Sequence, residues 1–171
     1  SIPLTQHLME ICDLTLATGG KPMVKAAYSS GKPAYGVGAG NSSIVIDETA
    51  DISIAAENTR ISKTSDFGSG CSADGNIIIQ KSIYDDMVKA LIVEGGYLCS
   101  EEEKEMLRQA MWDEKGNRTF PTIACRPQQT AEVAGFTIPD DRKFLMVENQ
   151  GQIGKEHKFS GEKLTTLMAL Y

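Results

Sequence analysis

Residues 76–91, NIIIQKSIYDDMVKAL, place a short apolar run directly before a segment of helical period. Residues 76–80 contain three consecutive isoleucines, which favours a buried β-strand. The apolar residues that follow recur at spacings of three and four, which predicts an amphipathic helix facing the core: Ile83, Met87, Ala90 and Leu91. A strand followed at once by a helix is the repeating unit of α/β folds with a parallel sheet.

The same alternation extends over the whole chain. We predict seven strands, at residues 14–17, 34–37, 44–46, 76–80, 122–125, 144–147 and 167–170. Two further helical stripes are expected to lie in the core, Leu4 with Leu8 and Ile11, and Ile52 with Ala55 and Ala56. The sequence therefore predicts an α/β fold with a mainly parallel sheet flanked by helices.

Helix starts and turns support this order of elements. Ser100 is followed three residues later by Glu103, which is the signature of a capping box at a helix N-terminus. Gly95 and Gly96 predict a helix exit or turn, and so does Gly135. The acidic run after Ser100 is therefore interpreted as structural.

Length and composition limit the class of protein. The chain has 171 residues, of which 41% are hydrophobic and 23% charged, the balance of a soluble globular domain. A chain of this size buries roughly 70% of its unfolded surface, so its stability requires no disulfide or structural metal. No apolar run approaches the ~20 residues that span a bilayer, and the N-terminus lacks a signal-peptide pattern. We expect an intracellular protein with no membrane partner, and composition alone indicates no division into domains.

Charge and cysteine spacing argue against two further classes. The net charge is −6 and the 17 basic residues are scattered, which argues against nucleic acid as a partner. The four cysteines lie far apart, without a Cys-x-x-Cys pair, and the only histidines are His7 and His157. No metal site is predicted from this spacing.

One cysteine is distinguished by its neighbours. The segment 62–72, SKTSDFGSGCS, surrounds Cys71 with small residues. Small neighbours leave a sulfur accessible, and loop N–H groups can hold the oxyanion that forms when a thiolate attacks a carbonyl. A buried cysteine in a tight loop is the alternative, and the local sequence leaves both open. Cys12, Cys99 and Cys125 are expected to be buried structural thiols.

A glycine-rich turn follows the first predicted strand, at Thr18, Gly19 and Gly20. Free N–H groups at a helix N-terminus can contact a phosphate or a ribose edge, although glycines at such turns often serve backbone geometry alone. A second glycine-dense segment, GVGAGN at 36–41, has the wrong spacing for a dinucleotide fingerprint. The residues by themselves leave the role of the first turn open.

Four blocks together resemble the CoA-acylating branch of the aldehyde dehydrogenase superfamily. They are ATGG at 17–20, MVKAAYSSGKP at 23–33, GVGAGN at 36–41 and SKT at 62–64. Their order and spacing are kept from about residue 10 to the end of the chain. That branch includes acylating acetaldehyde dehydrogenases. Further segments, EGGYLC at 94–99 and FSGEKL at 159–164, most resemble its acylating sulfoacetaldehyde dehydrogenases.

The resemblance implies roles for five residues. Cys71 falls at the catalytic cysteine. Thr18, Gly19 and Gly20 fall at the turn that approaches the nicotinamide of NAD or NADP, and Glu162 falls at the glutamate that holds the nicotinamide ribose. These residues are the expected catalytic and cofactor-binding positions.

The resemblance also implies an organisation and a setting. Residues 1–35 would end the nicotinamide-cofactor domain, and residues 36–171 would form a catalytic domain of aldehyde dehydrogenase type, truncated at its C-terminus. The full-length protein would be a homo-oligomer that takes a small aldehyde and coenzyme A. It would work in the cytoplasm, with a bacterial microcompartment as the alternative location.

The reaction type depends on a missing carboxylate. In the hydrolytic enzymes of the superfamily a glutamate stands 34 residues before the cysteine, and here that position is Val37, with no carboxylate within 36–41. A cysteine thioester without a base for water persists until a better nucleophile such as a thiol attacks it. The expected product is therefore an acyl-CoA from a short-chain aldehyde such as acetaldehyde or sulfoacetaldehyde. A hydrolytic aldehyde or semialdehyde dehydrogenase, or a segment inactive by itself, are the alternatives.

Overall fold

The computed structural model describes all 171 residues and divides them into two compact units, Ser1–Gly40 and Asn41–Tyr171. Composition alone indicates no such division. The boundary lies five residues beyond the domain boundary at residue 35 that the resemblance implies. The assignment of the two parts to a cofactor domain and a catalytic domain stays a prediction.

The first unit contains two helices and two strands. In chain order these are α1 (Ile2–Ile11), β1 (Thr15–Thr18), α2 (Lys21–Tyr28) and β2 (Ala34–Val37). β1 and β2 pair in parallel, with Thr15 opposite Ala34. Two parallel strands joined by a helix form one βαβ unit.

The core of the first unit is small and consists of Met9, Ala17 and Ala27. The apolar stripe predicted for α1 is exposed, contrary to expectation: Leu4, Leu8 and Ile11. The face of α1 that packs inward is the one that carries Met9. Cys12, expected to be buried, is exposed directly after this helix.

The second unit is built around a five-stranded sheet. Its elements in chain order are β3 (Ser43–Ile46), α3 (Ile52–Thr64), β4 (Asn76–Ile79), α4 (Tyr84–Val93), β5 (Gly96–Leu98), α5 (Glu101–Met111), α6 (Pro127–Ala134), β6 (Phe144–Glu148) and β7 (Leu167–Leu170). The strand order is β3-β4-β7-β6-β5, and every neighbouring pair is parallel. The predicted α/β fold with a parallel sheet is confirmed.

Side chains of β6 show how the sheet is covered on both faces. Phe144 and Met146 belong to the core shared with α3 and α4, whereas Leu145 and Val147 belong to the core shared with α5 and α6. Successive strand residues point to opposite faces, so one apolar run fills two cores. The predicted helical stripe after β4 is confirmed, since Met87 and Leu91 of α4 are fully buried.

Two strand predictions were wrong. No strand forms at 122–125, because Phe120–Thr122 is a 3₁₀ turn and Ala124 has a φ of +52°, which no strand accommodates. A strand was missed at β5, which has three residues and begins with Gly96. A Cβ at Gly96 would lie 2.8 Å from the Leu91 oxygen, so glycine permits a close approach there.

The start of α5 is confirmed in detail. Glu103 N–H donates to the Ser100 hydroxyl oxygen at 3.2 Å, and Ser100 N–H donates to the Glu103 carboxylate at 2.8 Å.

None of the helices has the length and apolar character that crossing a bilayer requires.

Candidate active site

Cys71 lies on an exposed loop between α3 and β4. Of the two alternatives that the local sequence leaves open, the structure has the accessible cysteine and not the buried one. Cys99 and Cys125 are buried, as predicted. Burial, together with the charge of Glu103, raises the pKa of the Cys99 thiol to about 12, so this cysteine stays protonated at neutral pH.

The chain reaches Cys71 through three consecutive residues in the left-handed region. Their φ angles are +49° at Asp66, +52° at Phe67 and +66° at Gly68. L-residues other than glycine rarely adopt this region, and each such residue costs of order 1 kcal/mol or more. Strain of this kind is common at functional sites, where the surrounding structure holds the backbone in place.

Two serines hold the segment that follows Cys71. Gly75 N–H donates to the Ser42 carbonyl at 3.0 Å, and Asp74 N–H donates to the Ser62 hydroxyl at 3.2 Å. The N–H of Cys71 itself donates no hydrogen bond within the chain. This N–H is therefore free to donate to an oxygen bound next to the sulfur.

Cys71 lines a narrow cavity. Its free volume of about 10 Å³ corresponds to one water-sized atom. The lining is drawn from three segments of the second unit: Asn41, Ser42, Lys63, Gly68, Gly70, Cys71, Ala73, Gly75, Glu162, Lys163 and Leu164. The fold thus brings Cys71 and Glu162, 91 positions apart in the sequence, to one cavity.

Glu162 is half-buried and lies two residues before Leu164, which also has a left-handed backbone, with a φ of +51°. Glu162 takes part in none of the ion pairs of the structure. Its carboxylate oxygens are therefore free to accept hydrogen bonds from a ligand.

Two lysines lie almost completely buried under the cavity. Lys63 and Lys163 are each 1% exposed. Burial lowers the pKa of Lys63 to about 8; the charge of Asp74 raises it and that of Arg118 lowers it. Burial lowers the pKa of Lys163 well below its ordinary value, and the charges of Lys63 and Arg118 act in the same direction. Neither lysine forms an ion pair, although the charge of Asp74 acts on Lys63. Buried ionisable groups with shifted pKa values are common at functional sites.

Asp74 is the carboxylate whose charge acts on Lys63. It is 5% exposed, and burial raises its pKa, although the Ser62 hydroxyl and the Lys63 charge act against that rise. Asp74 follows Cys71 by three residues, so a charged group of each sign lies at the base of the nucleophile loop.

The Thr18 turn belongs to the first unit and is described within it. Thr18 ends β1, and Gly20 is the N-cap of α2. Gly19 N–H donates to the Val37 carbonyl at 3.0 Å, whereas Thr18 and Gly20 are exposed. The turn therefore presents a polar backbone at the carboxyl end of a parallel strand, which is where ligands bind in α/β sheets.

The polar residues beneath the cavity were not predicted from the sequence. For Lys63 a signal was present, because Ala56, Thr59 and Lys63 are the buried residues of α3 and follow the spacing of three and four. For Lys163, Asn76 and Asn41 no periodic pattern exists, because their contacts join distant parts of the chain.

Known proteins resemble the chain over its full length. The aldehyde dehydrogenase family model matches residues 15–96. The sulfoacetaldehyde dehydrogenase of Acholeplasma sp is 42% identical over 175 residues, a match that covers 100% of this chain and 36% of that protein. An acetylating aldehyde dehydrogenase from Geobacillus thermoglucosidasius has a TM-score of 0.94 at 40% identity, covering 100% of this chain and 38% of that one.

A further solved structure contains a ligand. It is a Rhodopseudomonas palustris propionaldehyde dehydrogenase with bound propionyl-CoA, with a TM-score of 0.88 and 28% identity, covering 99% of this chain and 38% of that one. The chain spans little more than a third of the length of each of these three proteins. From this likeness in sequence and in structure, the chain belongs to the aldehyde dehydrogenase family.

Proposed function

We propose that the protein containing this chain is a CoA-acylating aldehyde dehydrogenase that converts a short-chain aldehyde to an acyl-CoA with reduction of NAD or NADP. The observation that carries the proposal is the cavity shared by the exposed Cys71 and the half-buried Glu162. Acetaldehyde and sulfoacetaldehyde are the proposed substrates, supported by the names of the relatives.

Cys71 is the proposed nucleophile. Its thiolate attacks the aldehyde carbonyl carbon and forms a C–S bond, and the carbonyl electron pair moves to the oxygen. The free N–H of Cys71 donates to that oxyanion, a kind of interaction that typically contributes 10²–10³ in rate. Loss of a hydride from the same carbon gives a thioester on Cys71.

Nucleotide binding is proposed for Glu162 and the Thr18 turn. Glu162 has unpaired carboxylate oxygens that fit ribose hydroxyl donors, and Thr18 and Gly20 expose polar backbone at a strand end. A bound nicotinamide nucleotide supplies the hydride acceptor. The residues of this chain bind and orient it.

The product follows from the missing carboxylate. Val37 stands where a hydrolytic enzyme of the superfamily carries its glutamate, and GVGAGN offers no other base. The thiol of coenzyme A attacks the thioester carbonyl, the acyl group passes to the CoA sulfur, and the proton of the thiol is released. The Cys71 thiolate is regenerated. The propionyl-CoA bound to the Rhodopseudomonas palustris protein supports this choice of acceptor.

The setting of the enzyme is proposed from the family resemblance and the net charge. The family resemblance supports a homo-oligomer in the cytoplasm or in a bacterial microcompartment. The net charge of −6 supports a protein that does not bind nucleic acid.

A substrate panel tests the proposal. The intact protein is assayed with short aldehydes, including acetaldehyde and sulfoacetaldehyde, with and without coenzyme A, following NAD(P)H at 340 nm and acyl-CoA by mass spectrometry. We expect reduction that requires coenzyme A and is abolished by Cys71→Ala. Carboxylate formation at full rate without coenzyme A would overturn the acylating assignment, and activity retained in Cys71→Ala would overturn the nucleophile.

A further inference from the structure

A hydrogen-bonded cluster ties the Glu162 segment to the strand that follows Cys71. Its centre is the side chain of Asn76, the first residue of β4. Asn76 follows Cys71 by 5 residues in the sequence. The Asn76 amide oxygen accepts from Lys163 Nζ at 3.0 Å. The Asn76 amide nitrogen donates to the Asn41 side-chain oxygen at 3.0 Å and to the Ser160 carbonyl at 3.1 Å.

Lys163 uses its donors on the same loop. Its ammonium donates to the Phe159 carbonyl at 2.5 Å and to the Gly161 carbonyl at 2.8 Å, besides Asn76. An ammonium has three N–H donors, so Lys163 is fully bonded. Glu162 lies between Gly161, which accepts one of these bonds, and Lys163, which donates all of them. Its backbone is therefore fixed on both sides.

Asn41 closes the cluster from a third segment. Its side-chain nitrogen donates to the Ser160 carbonyl at 2.8 Å while its oxygen accepts from Asn76. Asn41 is exposed, whereas Asn76 and Lys163 are buried, so the cluster has an accessible outer member. We call Asn41, Asn76, Ser160 and Lys163 the loop clamp.

The loop clamp contains a buried ammonium, whose removal from water costs free energy. All the acceptors of Lys163 are neutral, and the two charges that act on its pKa, those of Lys63 and Arg118, are positive. Buried ion pairs can often be replaced by well-packed apolar residues without loss of stability, so we take the role of this buried ammonium to be the fixing of one geometry. The geometry fixed here is that of Glu162 relative to the loop of Cys71, because both line one cavity.

We propose that Lys163, acting through Asn76, is a positioning residue that holds Glu162 at a fixed distance from Cys71. The consequence of this positioning rests on the proposed function. If Glu162 binds the ribose, its fixed position places the nicotinamide within hydride-transfer distance of the carbon attached to Cys71. Small errors in such placement can cost about 10²-fold in rate. Lys163 touches neither the substrate nor the cofactor in this role.

The test uses the intact protein with Lys163→Met and Asn41→Ala, and with Asn117→Ala as the matched control. Asn117 is an exposed asparagine that bonds only to Asp113, outside the cavity lining. For Lys163→Met we expect KM for NAD(P) to rise at least tenfold while the rate of Cys71 alkylation by iodoacetamide stays within about twofold. Asn41→Ala should raise KM by about threefold, and Asn117→Ala should leave it unchanged.

Hydrogen exchange separates this inference from the proposed function. In Lys163→Met, amides of residues 159–163 should exchange at least tenfold faster, whether or not the protein oxidises aldehydes. Unchanged exchange at these amides overturns the positioning role. So does a KM of Lys163→Met equal to that of the wild type, provided that the wild type is active. Faster exchange in a protein whose wild type fails to bind NAD(P) overturns the proposed function alone. If Lys163→Met does not fold, the exchange and KM of Asn41→Ala decide in the same way.

Discussion

The backbone oxygen of Thr165 lies 2.5 Å from the point that a Cβ atom would occupy at Gly68. The nucleophile loop and the segment after Glu162 thus touch through a glycine. Gly68→Ala adds a methyl group into this contact, and also 2.9 Å from the Lys63 oxygen, at a φ of +66°. We expect a loss of about 1–3 kcal/mol in unfolding free energy and a fall in kcat of tenfold or more.

Gly70→Ala is the matched control for that variant. Gly70 lines the same cavity and precedes Cys71 directly, but its nearest atom to an added Cβ is the Ser72 hydroxyl at 4.0 Å. Urea denaturation and steady-state assays should find this variant close to wild type. Equal losses of unfolding free energy and kcat in the two variants would show that any added methyl group disturbs the loop. The contact between Gly68 and Thr165 would then not be the cause.

The buried and exposed cysteines should differ in reactivity. We expect a short exposure of the folded protein to iodoacetamide at pH 7.5 to label Cys71 and to spare Cys99, whose thiol has a pKa raised to about 12 by burial and by Glu103. Peptide mass spectrometry with and without urea measures both sites. Labelling of Cys99 at the rate of Cys71 in the folded protein would contradict the burial of β5 and α5 around it.

The capping box at α5 should contribute measurably to stability. Ser100→Ala removes the acceptor of the Glu103 N–H at the N-terminus of α5, which should cost about 1 kcal/mol. Ser53→Ala on α3 is the control, since Ser53 is exposed and makes no side-chain hydrogen bond. Urea denaturation should separate the two variants, and a Ser100→Ala curve that overlays the wild type would count against the cap.

Patterns along the sequence predicted most elements of the second unit because its central strands are continuous apolar runs. The run of β6 was found from residues 144–147, and the helix after β4 from its period. Elements held by backbone conformation were not predictable in this way. Ala124 interrupts an apparent strand with a left-handed φ, and β5 consists of three residues that begin with a glycine.

In the candidate site, too, some residues could be predicted from the sequence and others could not. Cys71 could be found because its neighbours are small, and the resemblance placed Glu162. The loop clamp could not be found, because Asn41, Asn76 and Lys163 meet only after the sheet has formed. The same holds for burial of lysines, since composition places lysine on the surface unless tertiary structure overrides it.

The pKa of Lys63 predicts how stability depends on pH. An unfolded lysine titrates near 10.5, whereas burial lowers the pKa of the folded Lys63 to about 8. Between these values the unfolded chain binds the proton and the folded chain does not, so the contribution of Lys63 to stability rises with pH. The rise is about 1.4 kcal/mol for each pH unit inside the window, or about 3 kcal/mol in total.

Lys63→Met removes this titration. The difference in unfolding free energy between Lys63→Met and wild type should favour the variant most below pH 8 and should shrink by about 3 kcal/mol by pH 10.5. Cys99 is common to both proteins and cancels in the difference, whereas the pKa of Lys163, which the Lys63 charge lowers, moves toward its ordinary value in the variant. Lys89→Met on the exposed side of α4 should show no such trend. A difference that is constant from pH 7 to 10.5 means that Lys63 has an ordinary pKa, and that its ammonium reaches water.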